Sequence, residues 1–209
     1  MKIHRTSLTD KIHLLSFETQ QELASTFLRF QEYYESPYFK DKIFTLEEFT
    51  DWYVKNSPKG IETGEFTYHS DWNGFNIPSR ILKPFYEGRF DVLSDSEKAL
   101  LDLFQNESED FYIIGVHGQM ENPDALLEHE IAHGLFATNP EYKEQVLVAL
   151  AQYDIESIKK ELRSKGGYHE DVLDDEVHAY SLDEENKMGI PEELSQRIRI
   201  LFDQYYKII

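Results

Sequence analysis

Cysteine is absent from this chain. That removes disulfides, thiolate metal ligands and cysteine nucleophiles together. Basic residues are scarce, with 21 Lys and Arg against 40 Asp and Glu and a formal net charge of −19. Such a field repels phosphate backbones and anionic lipid surfaces, so neither a nucleic-acid nor a membrane partner is expected. The acid is spread over both halves rather than gathered in a tail, which reads as a well-solvated surface. No apolar run approaches the length of a membrane span. The opening Met1-Lys2-Ile3-His4-Arg5-Thr6 has no apolar stretch of the kind a secretory signal carries, so a cytoplasmic protein is the economical expectation. Internal repeats and low-complexity linkers are missing as well.

What is present is material for a core. The 209 residues are 40% hydrophobic and include 14 Phe and 13 Tyr, which excludes disorder for the bulk of the chain. We expect a single domain over 1–209. Residues 1–110 would form a mostly helical N-terminal part with a Gly/Pro-rich β segment, and 111–209 the core part.

Leu23, Phe27, Phe30 and Tyr34 recur at helical spacing and predict a helix from Thr19 to about Tyr34, ended by Ser36-Pro37. Thr45 with Glu48, and Ser94 with Glu97, form capping boxes that open two further helices. Between Ser57 and Gly88 the Gly and Pro content disfavours long helices. There Glu65 to His69 reads as a strand, and Trp72 to Asn76 as a turn bearing aromatics. Phe111 to His117, aromatic and β-branched, is the clearest strand.

Asn122 as N-cap and Pro123 as first residue predict a helix to about Ala137. Asn139-Pro140 repeats that signal for a helix to about Tyr153. Ile155, Ile158 and Leu162 give another, closed by Gly166-Gly167. A helix near Glu170 to Asp183 follows, and the last begins at Pro191. The fold class is α+β, mostly helical, with a small sheet before the helix from Pro123.

That helix contains His129-Glu130-Ile131-Ala132-His133, the pattern H-E-x-x-H. A spacing of four puts both imidazoles on one face, one turn apart, so two nitrogens can reach one ion at ~2.0–2.1 Å. Glu130 adjoins the first ligand and can reach a water on the metal without binding the metal itself. Ala125, Leu126, Ala132 and Phe136 surround the two His positions, so the pair faces inward. The blander reading is a hydrogen-bonded pair of core histidines.

A catalytic zinc site needs a third protein ligand and an open position. In the helix near 170–183, Glu176 is flanked at three and four residues by Val172, Leu173, Ala179 and Tyr180. Asp174 has mostly polar neighbours, and Asp175 is intermediate. A carboxylate inside an apolar stripe needs a cation. Zinc with two neutral His and Glu176 answers that need. An ion pair with Arg or Lys is the competing explanation, and His169 and His178 are alternative ligands.

With these residues the chain resembles the zincin metallopeptidases, in the branch with a Glu ligand called gluzincins. The resemblance covers roughly Phe111 to Asp183. It implies zinc held by His129, His133 and Glu176, with Glu130 as the base that takes a proton from a zinc-activated water and passes it to the leaving amine. It also implies a sheet-edge strand that pairs with an extended substrate, a place that Phe111 to Val116 would occupy. Tyr180, one turn beyond Glu176, would donate to the oxyanion unless it is only a core tyrosine; His117 is a second donor candidate. Metzincins fit less well, because Phe136 and Asn139 stand where their Gly and third His belong, and peptide deformylases use a Cys ligand. Thermolysin-like gluzincins place an orienting Asp four residues after the Glu ligand. Here that position is Tyr180, so no orienting carboxylate is assigned. The expected function is zinc-dependent hydrolysis of a peptide or amide bond in a peptide or protein substrate. The alternative is a non-catalytic zincin-like binding or regulatory domain.

Overall fold

The computed structural model describes residues 2–90, 92–119, 123–165, 168–183 and 188–206, with backbone only for 123–125 and 165. The fold is α+β, as expected. A four-stranded mixed sheet lies between two helical layers. Its strands are β1 (His4–Ser7), β2 (Ile12–Phe17), β3 (Gly74–Pro78) and β4 (Tyr112–His117), in the order β1-β2-β4-β3. β1 and β3 run antiparallel to their neighbours, and β2 is parallel to β4.

Side chains alternate across a strand, and here both faces are buried. Leu15, Phe17, Phe75, Ile77 and Ile113 point into one core. Ile12, Tyr112 and Ile114 point into the other. The first core is covered by α1 (Gln20–Glu35), α2 (Leu46–Asn56), the short α3 (Pro58–Thr63), α4 (Tyr68–Asp71) and α5 (Lys83–Tyr86), and α6 (Asp95–Phe104). The second is covered by α7 (Pro123–Thr138), α8 (Pro140–Leu150), α9 (Glu156–Lys165), α10 (Leu173–Tyr180) and α11 (Glu192–Tyr206).

The helix starts follow their caps. Thr19 accepts from the Glu22 N–H, and both capping boxes close reciprocally at Thr45/Glu48 and Ser94/Glu97. Glu97 also takes the buried Arg29 guanidinium in two bonds of 2.6 Å, which pins α1 to α6. Gly115 lets α1 lie close on the sheet, since a Cβ there would stand 2.6 Å from Phe27 Cε2.

Four expectations need correction. Phe111 to Val116 is not an edge: β4 is an interior strand, and β3 is the edge beside it. A run this apolar on both faces belongs between two neighbours. Glu65 to His69 is not a strand; Tyr68 and His69 open α4, and Phe66 packs its ring edge-on against Phe49. Trp72 to Asn76 is not wholly a turn, because β3 begins at Gly74. The helix near Glu170 to Asp183 is a 3-10 turn (Glu170–Val172) followed by α10, which ends at Tyr180. Asn122 and the Gly166-Gly167 stop lie outside the described residues. Among the described residues no helix is long and apolar enough to cross a membrane.

Candidate metal centre

The H-E-x-x-H helix α7 packs on β4 and β3 on one side and against α10 on another. Every residue from Glu130 to Phe136 is buried, so its histidines are held by packing rather than by solvent. Gly134 lets the helix approach the sheet, where Ile12 fills the space a Cβ would need.

His129, His133 and Glu176 converge from α7 and α10, and their ligand atoms all lie within 4.8 Å of one another. The two imidazole Nε2 atoms are 3.3 Å apart. Nε2 of His133 is 3.6 Å from Oε1 of Glu176. Ligands ~2.0–2.1 Å from a tetrahedral zinc stand about 3.3–3.4 Å from each other. The 3.3 Å spacing matches one edge of that tetrahedron, the 3.6 Å spacing is slightly longer than a second, and the third pair lies within 4.8 Å.

The surroundings fix what these atoms offer. Asp175 Oδ1 lies 3.0 Å from Nδ1 of His133 and 3.3 Å from Nδ1 of His178. Consecutive carboxylates of α10 therefore address both nitrogens of one imidazole. The Asp175 bond assigns the hydrogen to Nδ1 and leaves the Nε2 lone pair of the neutral ring facing the cluster. On the far side the Tyr142 hydroxyl meets His178 Nε2 at 2.7 Å. Tyr142 donates to His178, and His178 donates to Asp175. Asp183 stands 3.6 Å from His129 Nδ1.

The electrostatics describe a pocket that demands positive charge. Burial alone would push the His133 pKa down, but Asp175, Glu176 and Glu130 outweigh it and raise the value to about 10. Burial raises Glu176 to about 6, with His133 and His129 pulling the other way. Burial would raise Asp175 too, yet His133 and the hydrogen bonds from both imidazoles hold it down at about 2. His178 is lowered by its burial and stays neutral. Nearby on α1, burial and then Glu176 raise the Glu35 carboxyl well above the usual range. Without a metal, a proton on His133 supplies the missing positive charge. A divalent cation supplies more, and the donor set of two imidazoles and one carboxylate suits zinc.

Glu130 sits beside this group with its own supports. Its Oε2 accepts from Asn76 Nδ2 at 2.5 Å, and Asn76 Oδ1 in turn accepts from the buried Tyr112 hydroxyl. Tyr180 places its ring 4.8 Å from that of His129, and its hydroxyl lies 3.3 Å from that of Tyr168. Burial raises the Tyr180 pKa to about 12, so its proton stays on at neutral pH.

The structure thus brings together His129, Glu130, His133, Glu176 and Tyr180. The alternative ligands sit elsewhere: His178 serves Asp175, and His169 caps the 3-10 turn by accepting from the Asp171 N–H. His117 caps the end of β4, where its Nδ1 accepts from the Gln119 N–H. Sequence reasoning missed Tyr142, Asn76 and Tyr112, and it weighed Asp175 and His178 only as possible ligands, not as the pair that orients His133. The spacing of Asp175 and His178 at three residues was the one available signal for the orienting carboxylate. Comparison with known protein families, characterised proteins and solved structures yields no match.

Proposed function

We propose that this chain is a zinc-dependent hydrolase of peptide or amide bonds, resembling the gluzincins in its ligand set. The supporting observation is the convergence of the His129, His133 and Glu176 ligand atoms within 4.8 Å of one another, with the His133 tautomer set by Asp175. A zinc ion held there would lower the pKa of a water to about 7 and polarise a scissile carbonyl. Glu130 would be the group that takes a proton from a water there and returns it to the leaving amine. Tyr180, protonated and beside His129, donates a hydrogen bond to the developing oxyanion. Asp175, backed by His178 and Tyr142, keeps His133 in its donor orientation.

One observation favours the second reading, a non-catalytic zincin-like binding or regulatory domain. The backbone N–H of Asn76 on the edge strand β3 is taken by Gln31 Oε1 at 3.1 Å, and Pro78 has no N–H to give. That edge therefore offers an extended substrate little of the ladder pairing expected from the resemblance. On the hydrolase reading, substrate binding would have to rely on side chains rather than on that strand's backbone.

The test is the zinc content of the purified chain together with a peptide-library digest. Hydrolase action predicts one zinc per chain and cleavage that Glu130→Gln abolishes while keeping zinc. Zinc without cleavage by the unaltered chain supports the binding domain, and full activity in Glu130→Gln refutes the proposed base.

A further inference from the structure

We infer that Asn76 is a positioning residue for Glu130, dividing the labour between its two carboxylate oxygens. The inference rests on the hydrolase reading above and specifies how the base is aimed.

Asn76 lies on β3 with its side chain on the α7 face of the sheet, buried between Tyr112 and Glu130. The direction of each bond is forced. Glu130 Oε2 accepts from the amide nitrogen of Asn76, so the amide oxygen faces the Tyr112 hydroxyl. Burial pushes the Tyr112 pKa well up, so its hydroxyl keeps the proton and donates. The chain therefore runs Tyr112 to Asn76 to Glu130, and the amide cannot flip without losing both bonds.

This lock engages Oε2 alone. Oε1 points to the backbone of Gly74, two residues earlier on the same strand, where a Cβ would stand only 2.8 Å from it. Gly74 has no positive φ, so its backbone can carry a side chain; the close approach of Glu130 is what the missing side chain accommodates. One oxygen is fixed by a strong hydrogen bond that draws on its lone pairs, and the other lies over the bare Gly74 backbone beside Leu126. Oε1 is then the atom that takes and returns the proton. The edge strand contributes to this site through the Asn76 side chain and the bare Gly74 backbone, even though its Asn76 N–H is taken by Gln31.

The experiment compares Asn76→Asp, Asn76→Ala and Gly74→Ala with the unaltered chain, all zinc-loaded and full length, on the best-cleaved internally quenched peptide from a mixed pool. Asp keeps the shape but sets a second carboxylate against Glu130. Ala removes the lock, and Gly74→Ala pushes on Oε1. Misaiming a catalytic group by about 1 Å costs about 10²-fold in rate. The inference predicts a kcat lower by about 10²-fold in both Asn76 variants and by about 10-fold or more in Gly74→Ala. It also predicts KM within about 3-fold, one zinc per chain, and an unchanged visible spectrum of the cobalt-substituted protein. Equal kcat in the Asn76 variants, with Glu130→Gln inactive, overturns the inference and leaves the hydrolase reading standing. Loss of zinc or an altered cobalt spectrum in Asn76→Ala overturns it too, because Asn76 would then be supporting the metal ligands. No cleavage by the unaltered zinc-loaded chain refutes the hydrolase reading itself and this inference with it.

Discussion

Replacing Asp175 by Asn changes charge with little change of shape, and the structure says what should follow. The oxygen that accepts from His133 at 3.0 Å and from His178 at 3.3 Å is the same atom, Oδ1. An Asn carbonyl can occupy that place and accept from both rings. What is lost is the charge. A hydrogen bond to a charged group contributes about 1.5–3 kcal/mol and a neutral one about 0.5–1.5 kcal/mol, so the His133 bond weakens by about 1–1.5 kcal/mol. Taken alone, that is about tenfold in zinc affinity.

A second effect opposes the first. In the metal-free protein the carboxylates raise the His133 pKa to about 10, so near pH 7.5 zinc must displace a proton from this ring. Removing the Asp175 charge eases that competition. The dication still loses more than the proton does, because both sit at Nε2 and the Coulomb interaction scales with charge. The net expectation for Asp175→Asn is zinc binding weaker by about 10-fold, within the range of 10–100-fold for groups that orient metal-bound histidines. Fewer protons should also be released per zinc. Calorimetric titration of zinc in buffers of different ionisation enthalpy reads both quantities. Unchanged affinity together with an unchanged proton count would refute the role given to Asp175.

Three further outcomes follow from the packing. Burial, partly offset by hydrogen bonds from Tyr68 and Ser36, raises Glu32 from 4.5 to about 7. The folded chain holds an extra proton between those values, so this group costs stability as pH rises from 4.5 through 7. Urea unfolding should therefore show Glu32→Gln more stable by about 3 kcal/mol at pH 8 and equal at pH 4; equal stability at both would contradict the shift. Arg29→Ala leaves the carboxylate of Glu97 buried without its guanidinium partner and should destabilise by about 3–5 kcal/mol, with a loss below about 1 kcal/mol refuting the pairing. Gly115→Ala drives a methyl into Phe27 and Leu23 and should cost about 1–3 kcal/mol by denaturant melt, whereas a stabilised variant would mean that α1 gives way freely.

The His129, His133 and Glu176 group was legible in the sequence because its signals are local. Four-residue spacing placed His129 and His133 on one face, and the apolar neighbours of Glu176 marked it as a buried acid needing a cation. Caps did the same for helix starts: Thr45, Ser94 and Asn139 each accept the N–H they were expected to accept, and Thr19, expected inside its helix, is the N-cap instead. The failures share a different cause. Whether Phe111 to Val116 is an edge or a centre depends on β2 and β3, which pair with it from far away in the chain. No strand was expected at His4–Ser7 or Ile12–Phe17, and β2 has its meaning only between β1 and β4. Asp175 looked intermediate because half of its environment comes from α7, through His133. Asn76 could not be singled out at all, since its partners Tyr112 and Glu130 lie 36 and 54 residues away.

The central claim is that one divalent ion is held by two imidazoles of α7 and one carboxylate of α10. Anomalous diffraction at the zinc edge, from crystals grown with one equivalent of zinc, tests it most directly. The account predicts a single strong peak about 2.0–2.2 Å from His129 Nε2, His133 Nε2 and a Glu176 carboxylate oxygen. A peak elsewhere, or Glu176 turned away from an ion that the histidines bind alone, would contradict it.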